Sequence, residues 1–465
     1  MTLPTVVKDF LDCNALSYRL YSYPPNGTLQ QITEAIKIPA QHLIRVVLLK
    51  DEQGLLMAIL PSSHILDFTL LRQVLHRELD PLYGDELANF FKGCRPGSRP
   101  PLPQVFGLPA IADKSLADID GEIYFDGGAH NTLVAMDSKA FQHLLGDVRR
   151  EHFALSLNVL DLQQRHAATP EEIISITSRH LPRCGTNTKI FKELPALPEA
   201  AQRILELRTS SRVASGSIAE LIQQNFQLTE AIINLASAPL YDSHGGKIES
   251  LQDAIGVLGI DIVAGLGFAT SISHAFPISS DGPLGCRSFW RHSIYCATLA
   301  SIVASSLPDN LHLRPGLVYL GGLLHKFGYL ILGYLFPAQF FLLNRFLEVN
   351  SQIPVARVEP HLLGTNNRQI GAWLMQVWGM PKEFTAAIRW HHKEDYSQPY
   401  AEYPNLVLIA NRLLCSLGIG NETTDRLPAT IISSLGLSEK KAFAALDKIV
   451  KSHRQLNDLS RALYV

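Results

Sequence analysis

The stretch Gly321-Gly322-Leu323-Leu324-His325-Lys326-Phe327-Gly328-Tyr329-Leu330 decides the fold of the C-terminal half of this chain. Two glycines and two leucines precede a histidine–lysine pair, and apolar residues follow it directly. This pattern predicts the core of a helix, with two polar side chains inside an otherwise apolar segment. The pair His325-Lys326 is therefore the first candidate for a functional site.

The length and composition indicate a multidomain globular protein. A chain of 465 residues is too long for one hydrophobic core, and we expect two to three domains. Apolar residues make up 46% and charged residues 18%, which suits filled cores rather than disorder. The formal net charge is −2, so no overall basic field indicates a nucleic-acid partner.

Sequence features also bear on the cellular compartment. Six scattered cysteines form no CxxC motif, which is typical of free thiols in a cytosolic protein. The N-terminus lacks the apolar core of a signal peptide. The uncharged run 327–344, which ends before Arg345, contains Pro337 and Gln339 and favours a buried core helix over a membrane span. We expect a cytoplasmic protein without a membrane partner.

Residues 1–150 predict an α+β domain with a mixed sheet and helices. The turn 51–54 separates two apolar runs and predicts a β-hairpin, and the turn 126–128 predicts a second one. Between them, 93–101 is a loop too rich in glycine and proline for regular structure. The predicted helices are 5–13, 30–38 and 68–79, and the predicted strands are 46–49, 55–60, 123–125 and 132–136.

This order of elements resembles the YbaK/ProX family, whose members deacylate mischarged aminoacyl-tRNA. The resemblance covers roughly 1–150 and rests on the strand at Val46, the Gly-rich loop before Pro100 and the closing hairpin. It implies a deacylase-like pocket, for which the candidate residues are Arg45, Gly97, Ser98 and His130. The functional lysine of the family corresponds to Arg45 here.

Arg45 changes the chemistry that such a pocket can perform. A buried lysine can lose its proton and act as a base, whereas an arginine stays charged and binds anions. Residues 1–150 contain 14 Lys and Arg against 17 Asp and Glu, which disfavours tight binding of tRNA. Deacylation of mischarged tRNA is therefore an alternative function, with Arg45 positioning the substrate and the Gly97–Ser98 loop stabilising the oxyanion.

From residue 151 onward the pattern changes. We assign 151–190 to a linker with one helix, which Thr169-Pro170-Glu171-Glu172 begins. Residues 191–415 are helical almost throughout, and 416–465 form a C-terminal helical extension. Phe289-Trp290-Arg291-His292-Ser293 and 366–372 are similar to HDOD domains, which are all-helical regulatory modules related to HD phosphohydrolases. The resemblance implies a helical bundle that usually lacks metal and catalysis.

The HD phosphohydrolase resemblance identifies a degenerate site at His292, His325, Lys326, Asn367, His391, His392 and Asn411. Lys326 and Asn411 replace the two carboxylates of the usual metal cage, and Asn367 replaces a histidine. Divalent cations prefer anionic oxygen beside neutral imidazole. At an effective dielectric constant of about 20, two like charges about 4 Å apart repel by about 4 kcal/mol. We therefore expect neither a metal nor another cofactor.

These observations favour a non-catalytic bacterial signalling or regulatory protein. Its HDOD domain would bind a protein partner, and its N-terminal domain would bind aminoacyl-tRNA or an amino-acid-like ligand. A tRNA deacylase and a metal-dependent HD phosphohydrolase are the alternatives. The sequence leaves open the partner, the signal, the amino acid and the oligomeric state.

Overall fold

A computed structural model describes residues 2–23, 32–33, 36–82, 90–95, 98–157, 197–209, 214–241, 248–350, 353–420 and 424–464, without the side chains of 205–209, 214–217 and 361. The chain divides into two compact units. The first unit contains 1–164 and 345–358, and the second contains 165–344 and 359–465. A short segment from the second half of the sequence therefore belongs to the N-terminal unit.

The first unit is built around a mixed sheet. Its strand order is β1-β8-β7-β2-β3-β6-β9, with β5 paired to β2, and a separate ladder joins β4 to β10. The pairs β2–β7, β3–β6 and β6–β9 are parallel. The strands are β1 Tyr18–Ser22, β2 Leu43–Asp51, β3 Gly54–Pro61, β4 His64–Leu66, β5 Asp80–Pro81, β6 Ala110–Asp113, β7 Glu122–Asp126, β8 Thr132–Asp137, β9 Arg149–Glu151 and β10 Ala154–Ser156.

Both predicted hairpins are present. In the first, β2 and β3 pair from Asp51↔Gly54 to Ile44↔Pro61, and in the second β7 pairs with β8. The helices of this part are α1 Thr5–Cys13, α2 Phe68–Leu75, α3 Pro103–Phe106 and α4 Ser138–Leu145. Of the predicted helix 30–38, the structure describes 32–33 and 36–38, and residues 32, 33 and 36 are helical. The α+β class predicted for this region is confirmed.

Strand β2 lies in the middle of the core, with apolar residues on both of its faces. Val46 and Leu48 pack in one hydrophobic cluster, whereas Val47 and Leu49 pack in another. Because side chains alternate along a strand, Arg45 shares a face with Val47 and Leu49. The sheet therefore directs an arginine toward a largely buried face.

The second unit is helical throughout the part that the structure describes. Its longest helix, α10 (Cys286–Ser305), has twelve buried residues, including His292. The other helices from residue 199 onward are α5 Glu199–Thr209, α6 Ala214–Gln223, α7 Phe226–Ala236, α8 Leu251–Leu258, α9 Ile260–Ala275, α11 Pro315–Leu324, α12 Gly328–Leu335, α13 Pro337–Val349, α14 Val355–Leu363, α15 Asn367–Val377, α16 Lys382–Trp390, α17 Glu402–Cys415, α18 Ala429–Ser434, α19 Glu439–Lys451 and α20 His453–Ala462.

Glycines explain how the stretch 321–330 fits into this bundle. It forms the end of α11, a turn at 325–327 and the start of α12, rather than one continuous helix. A Cβ at Gly322 would lie 2.6 Å from the Cα of Ala297 on α10, and one at Gly328 would lie 1.9 Å from the carbonyl oxygen of Asn367 on α15. Both contacts are with backbone, which cannot move aside cheaply. Small residues here allow neighbouring helices to approach closely.

The boundary of the predicted linker differs from the structure. Strand β10 pairs antiparallel with β4, so regular structure of the first unit continues past residue 150. Strand β10 is bonded to residues about 90 positions earlier in the chain. Local hydrophobic periodicity therefore could not reveal this strand. The predicted linker helix lies outside the described residues.

One apolar segment, Pro315–Leu335, has the length and composition of a membrane span, but its most apolar window is completely buried in the protein. Core helices of soluble proteins share this property.

Candidate functional site

The N-terminal candidate site is centred on Arg45, whose guanidinium is engaged by backbone and side-chain oxygens. Its Nη1 donates to the Val349 carbonyl at 2.6 Å, and its Nη2 donates to the Asn350 Oδ1 at 2.7 Å and to the His64 carbonyl at 3.0 Å. Burial, together with the charge of Arg99, lowers the pKa of Arg45 to about 9. The side chain is therefore still charged at neutral pH, and most of its donors are used within the protein.

Asn350 is the residue of this site that the sequence did not reveal. Its side chain is fully buried and makes four hydrogen bonds. Oδ1 accepts from Arg45 and from the Leu66 N–H, and Nδ2 donates to the carbonyls of Leu66 and Phe346. Asn350 thus accepts a hydrogen bond that Arg45 could otherwise donate to a ligand. No local pattern could predict this contact, because 305 residues separate Arg45 from Asn350.

The same segment is anchored a second time at Arg345. Its guanidinium forms an ion pair with Asp80 at 3.0 Å and donates to the carbonyl of Leu79. It also lies 4.6 Å from the centre of the Phe68 ring. The segment 345–350 is therefore held in the first unit by two cation-centred contacts rather than by apolar packing alone.

Ser98, in the loop that the sequence predicts to stabilise an oxyanion, lies beside Asp126. This carboxylate accepts the N–H groups of Arg99 and Gly128, each at 2.8 Å, and a hydrogen bond from the Ser98 side chain. Burial raises the pKa of Asp126, and these hydrogen bonds and the charge of Arg99 oppose the shift. Ser98 is thus engaged with a carboxylate, and Gly97 lies outside the described residues.

His130 is exposed, and its hydrogen bond is made by its backbone rather than by its imidazole. It lies on the exposed β7–β8 turn, and its carbonyl accepts from the Thr132 hydroxyl at 2.9 Å. The structure therefore brings together Arg45, Arg99 and the Asp126 loop, whereas His130 has a turn position.

The second candidate site is a cluster of three buried histidines in the helical unit. His292 lies on α10, His325 follows α11 and His391 follows α16. The ring of His325 lies 5.1 Å from that of His292 and 4.9 Å from that of His391, both edge to face. His392, in contrast, is exposed, and its ring lies 6.1 Å from that of His391. Three of the four predicted histidines thus converge.

Backbone carbonyls determine which ring nitrogens carry protons. His325 Nδ1 lies 2.7 Å from the Gly322 carbonyl, and His391 Nδ1 lies 3.0 Å from the Ile388 carbonyl. Because a carbonyl only accepts, each Nδ1 donates, and the Nε2 of the neutral ring is left with a lone pair. Metal-binding histidines are oriented in the same way. The rings of His325 and His391 are therefore oriented as metal-binding histidines are.

Burial keeps these imidazoles neutral. Desolvation is the main cause that places the pKa of each of the three rings well below its usual value. The charge of Lys326, which is 9% exposed, lowers all three pKa values further. The Nε2 atoms of His292 and His325 are buried without a hydrogen-bond partner. The ammonium group of Lys326 thus lies near three neutral imidazoles, and two of these have a buried nitrogen without a hydrogen bond.

The amides predicted in place of acidic and histidine ligands are also buried. Asn411 lies beside His292 and raises its pKa, but the geometry of the pair falls short of a standard hydrogen bond. The Asn367 side chain donates to Glu359 Oε1 at 2.7 Å. Glu359 is fully buried, and its Oε2 has no hydrogen-bond partner. This carboxylate was missed because it precedes a proline inside α14, a position that carried no motif.

The donor set does not fit a divalent metal. Among the described residues, no three His, Cys, Asp or Glu side chains converge in a geometry that could hold a metal ion. The histidine cluster instead contains Lys326 and the neutral amide of Asn411, which the sequence predicts in place of two carboxylates. Three imidazoles with a cation beside them lack the negative charge that would offset the dehydration of the ion.

Family models match both parts of the chain. The HDOD domain model matches residues 194–394, and the aminoacyl-tRNA editing domain model matches residues 24–144. A crystal structure of a candidate signal transduction protein from Marinobacter aquaeolei VT8 is 29% identical, covers 100% of both chains and has a TM-score of 0.80.

Two further similarities are more limited. An HDOD domain protein from Geobacter sulfurreducens is 23% identical, covers 64% of this chain and 100% of its own, and has a TM-score of 0.48. An uncharacterized protein from Treponema pallidum (strain Nichols) is 20% identical over 266 residues, which are 56% of this chain and 49% of the relative. The match thus spans about half the length of this curated relative. The chain contains an aminoacyl-tRNA editing-like α+β domain followed by an HDOD domain.

Proposed function

We propose that this protein is a non-catalytic bacterial regulator that acts in the cytoplasm and binds a protein partner through its HDOD domain. The observation that carries the proposal is the charge of the histidine cluster, where Lys326 and Asn411 stand in place of metal-binding acids. The relative from Marinobacter aquaeolei, which is described as a candidate signal transduction protein, supports the regulatory role.

A metal-content experiment tests the loss of phosphohydrolase chemistry. The full chain is purified without chelator, and its iron, manganese and zinc are measured beside hydrolysis of bis(p-nitrophenyl) phosphate. We expect less than stoichiometric metal and no turnover above buffer for the wild type. The double variant Lys326→Asp/Asn411→Asp should gain metal, because two carboxylates then join the imidazoles. A triple variant that also carries His325→Ala is the control and should lose the gained metal. Stoichiometric metal with turnover in the wild type would refute the proposal.

The surface at the start of α7 supports a protein partner. Phe226 is 77% exposed and lies beside an apolar pocket of about 600 Å³ whose walls include Ile204 and Ile222. Exposed aromatic side chains beside such pockets are typical anchor points of protein interfaces.

The partner is tested with the tagged full chain and two matched variants. Phe226→Asp changes the proposed surface, and Phe443→Asp changes another exposed phenylalanine, on α19. We expect a partner captured by the wild type and by Phe443→Asp to be lost in Phe226→Asp. Retention of the same partner by all three proteins would move the interface elsewhere.

For the N-terminal domain we propose binding of an amino-acid-like ligand or aminoacyl-tRNA without hydrolysis. The engagement of Arg45 by Val349 and Asn350 supports the absence of hydrolysis, because a charged, hydrogen-bonded guanidinium cannot act as a base. Mischarged tRNAs are incubated with the full chain, and both bound and deacylated fractions are measured. Deacylation equal to buffer is expected. Deacylation that exceeds buffer and is lost in Arg45→Gln would establish the editing alternative.

A further inference from the structure

A pocket of about 290 Å³ opens beside the histidine cluster and has a strongly cationic lining. Arg287 and Arg291 come from α10, and Lys326 comes from the turn between α11 and α12. No acidic residue is among the described residues that line it. The local charge is thus positive in a protein whose net charge is −2.

Helix geometry brings this charge to one side of α10. Residues four apart on a helix lie on the same face, so Arg287 and Arg291 form one row and Ser288 and His292 form the next. These residues lie in the first two turns of a helix of twenty residues whose N-cap makes no side-chain hydrogen bond. The helix dipole adds partial positive charge at this end, which favours an anion.

His292 provides an independent indication of a ligand. Its side chain lines the pocket and is 4% exposed, and its Nε2 has no hydrogen-bond partner. Buried polar atoms are seldom left unsatisfied in proteins, because each costs free energy. Gly420, which also lines the pocket, packs so closely that a Cβ there would lie 2.7 Å from this Nε2. The ring is therefore fixed in its place at the pocket wall.

We propose that this pocket binds a small phosphate-bearing anion, either orthophosphate or a small phosphomonoester. Lys326 and the two arginines would neutralise its charge, and His292 would form a hydrogen bond with one of its oxygens. The volume suits a phosphate with a small substituent. In this reading, the substitution of a metal-binding acid by Lys326 converts a cation site into an anion site. The proposal goes beyond the regulatory function above and does not depend on the protein partner.

Calorimetric titration of the full chain tests the proposal. Orthophosphate, glycerol 3-phosphate and AMP are titrated at constant ionic strength, with chloride as the non-binding reference. Lys326→Gln and Arg287→Gln should each weaken binding about ten-fold or more, because a charged hydrogen-bond partner is lost. Lys440→Gln and Arg454→Gln, at exposed positions on α19 and α20, should keep the wild-type affinity.

The order of the three affinities identifies the ligand. Tighter binding of glycerol 3-phosphate or AMP than of orthophosphate would identify a phosphomonoester as the ligand, and the reverse order would identify free phosphate. Because Arg287 is exposed, its variant should fold normally even if Lys326→Gln does not, and thermal unfolding checks this for each protein. Absence of binding by all three ligands, or equal affinity in Arg287→Gln and Arg454→Gln, would overturn the proposal.

Discussion

The site around Arg45 and the cluster around His325 each contain a basic residue, Arg45 and Lys326, at a position that the sequence predicts to be functional. At Arg45 the guanidinium donates to Val349, Asn350 and His64. In the histidine cluster, by contrast, polar atoms of His292, His325 and Asn411 remain buried without partners. One site is thus part of the hydrogen-bonded framework, whereas the other contains polar atoms that this framework does not satisfy. The comparison teaches that two groups of predicted site residues in one chain can differ in whether the protein itself satisfies their polar atoms.

The largest expected effect is the loss of Asn350. Asn350→Ala removes hydrogen bonds to Arg45, Leu66 and Phe346 and leaves both backbone groups of Leu66 without the partner they have now. We expect the free energy of unfolding to fall by about 3 kcal/mol. Urea unfolding measures the change, and Asn234→Ala, at an exposed position, is the control. A loss below about 1 kcal/mol would mean that Asn350 is not an integral part of the framework.

A somewhat smaller loss is expected from Gly328→Ala, which tests the packing that supports the histidine cluster. Its Cβ would collide with the Asn367 carbonyl, so we expect destabilisation by about 2 kcal/mol. The matched control is Gly256→Ala on α8, where a Cβ has no neighbour within 4 Å. That variant should be stabilised by up to about 1 kcal/mol, because alanine is the better helix former. Similar melting temperatures for both variants would contradict the close approach of α12 and α15.

The histidine cluster should also make stability depend on pH. Unfolded histidines have a pKa of about 6.5, and the folded pKa values of His292, His325 and His391 are lowered. Above about pH 6.5 the rings are neutral in both states. As the pH falls further, only the unfolded chain takes up these protons, so the unfolding free energy decreases until the folded pKa values are reached.

Between pH 7.5 and pH 5.5 each such imidazole should cost about 1 kcal/mol. Urea unfolding at both pH values measures this dependence. His325→Gln should reduce it relative to His274→Gln, which replaces an exposed histidine outside the cluster. An equal pH dependence in the two variants would show that the buried ring of His325 contributes nothing to it.

The smallest effect concerns Lys326 alone. Lys326→Gln should raise the pKa of His292, His325 and His391, because the cation that lowers all three is removed. NMR titration of the imidazole Cε1–H signals measures this directly, with Lys440→Gln as the control. Unchanged pKa values would place the Lys326 charge outside the range of the cluster and would weaken the contrast with Arg45.

The sequence by itself determined the two domain types and both hairpins, and it predicted that Lys326 and Asn411 replace metal-binding acids. These features are carried by local hydrophobic periods, turn residues and motifs, which act over short separations. It also located His292, His325 and His391, although it included the exposed His392 in the same set.

Only the tertiary structure decided what surrounds those residues. Val349 and Asn350 reach Arg45 across 304 and 305 residues, and Glu359 reaches Asn367 from another helix. Contacts of this kind arise when helices and strands pack, so no local period predicts them. The pocket beside Lys326 likewise exists because 283–292, 326–329 and 418–420 meet in space. The sequence shows which residue types are present, whereas only the folded structure shows which of them are buried and which hydrogen bonds they form.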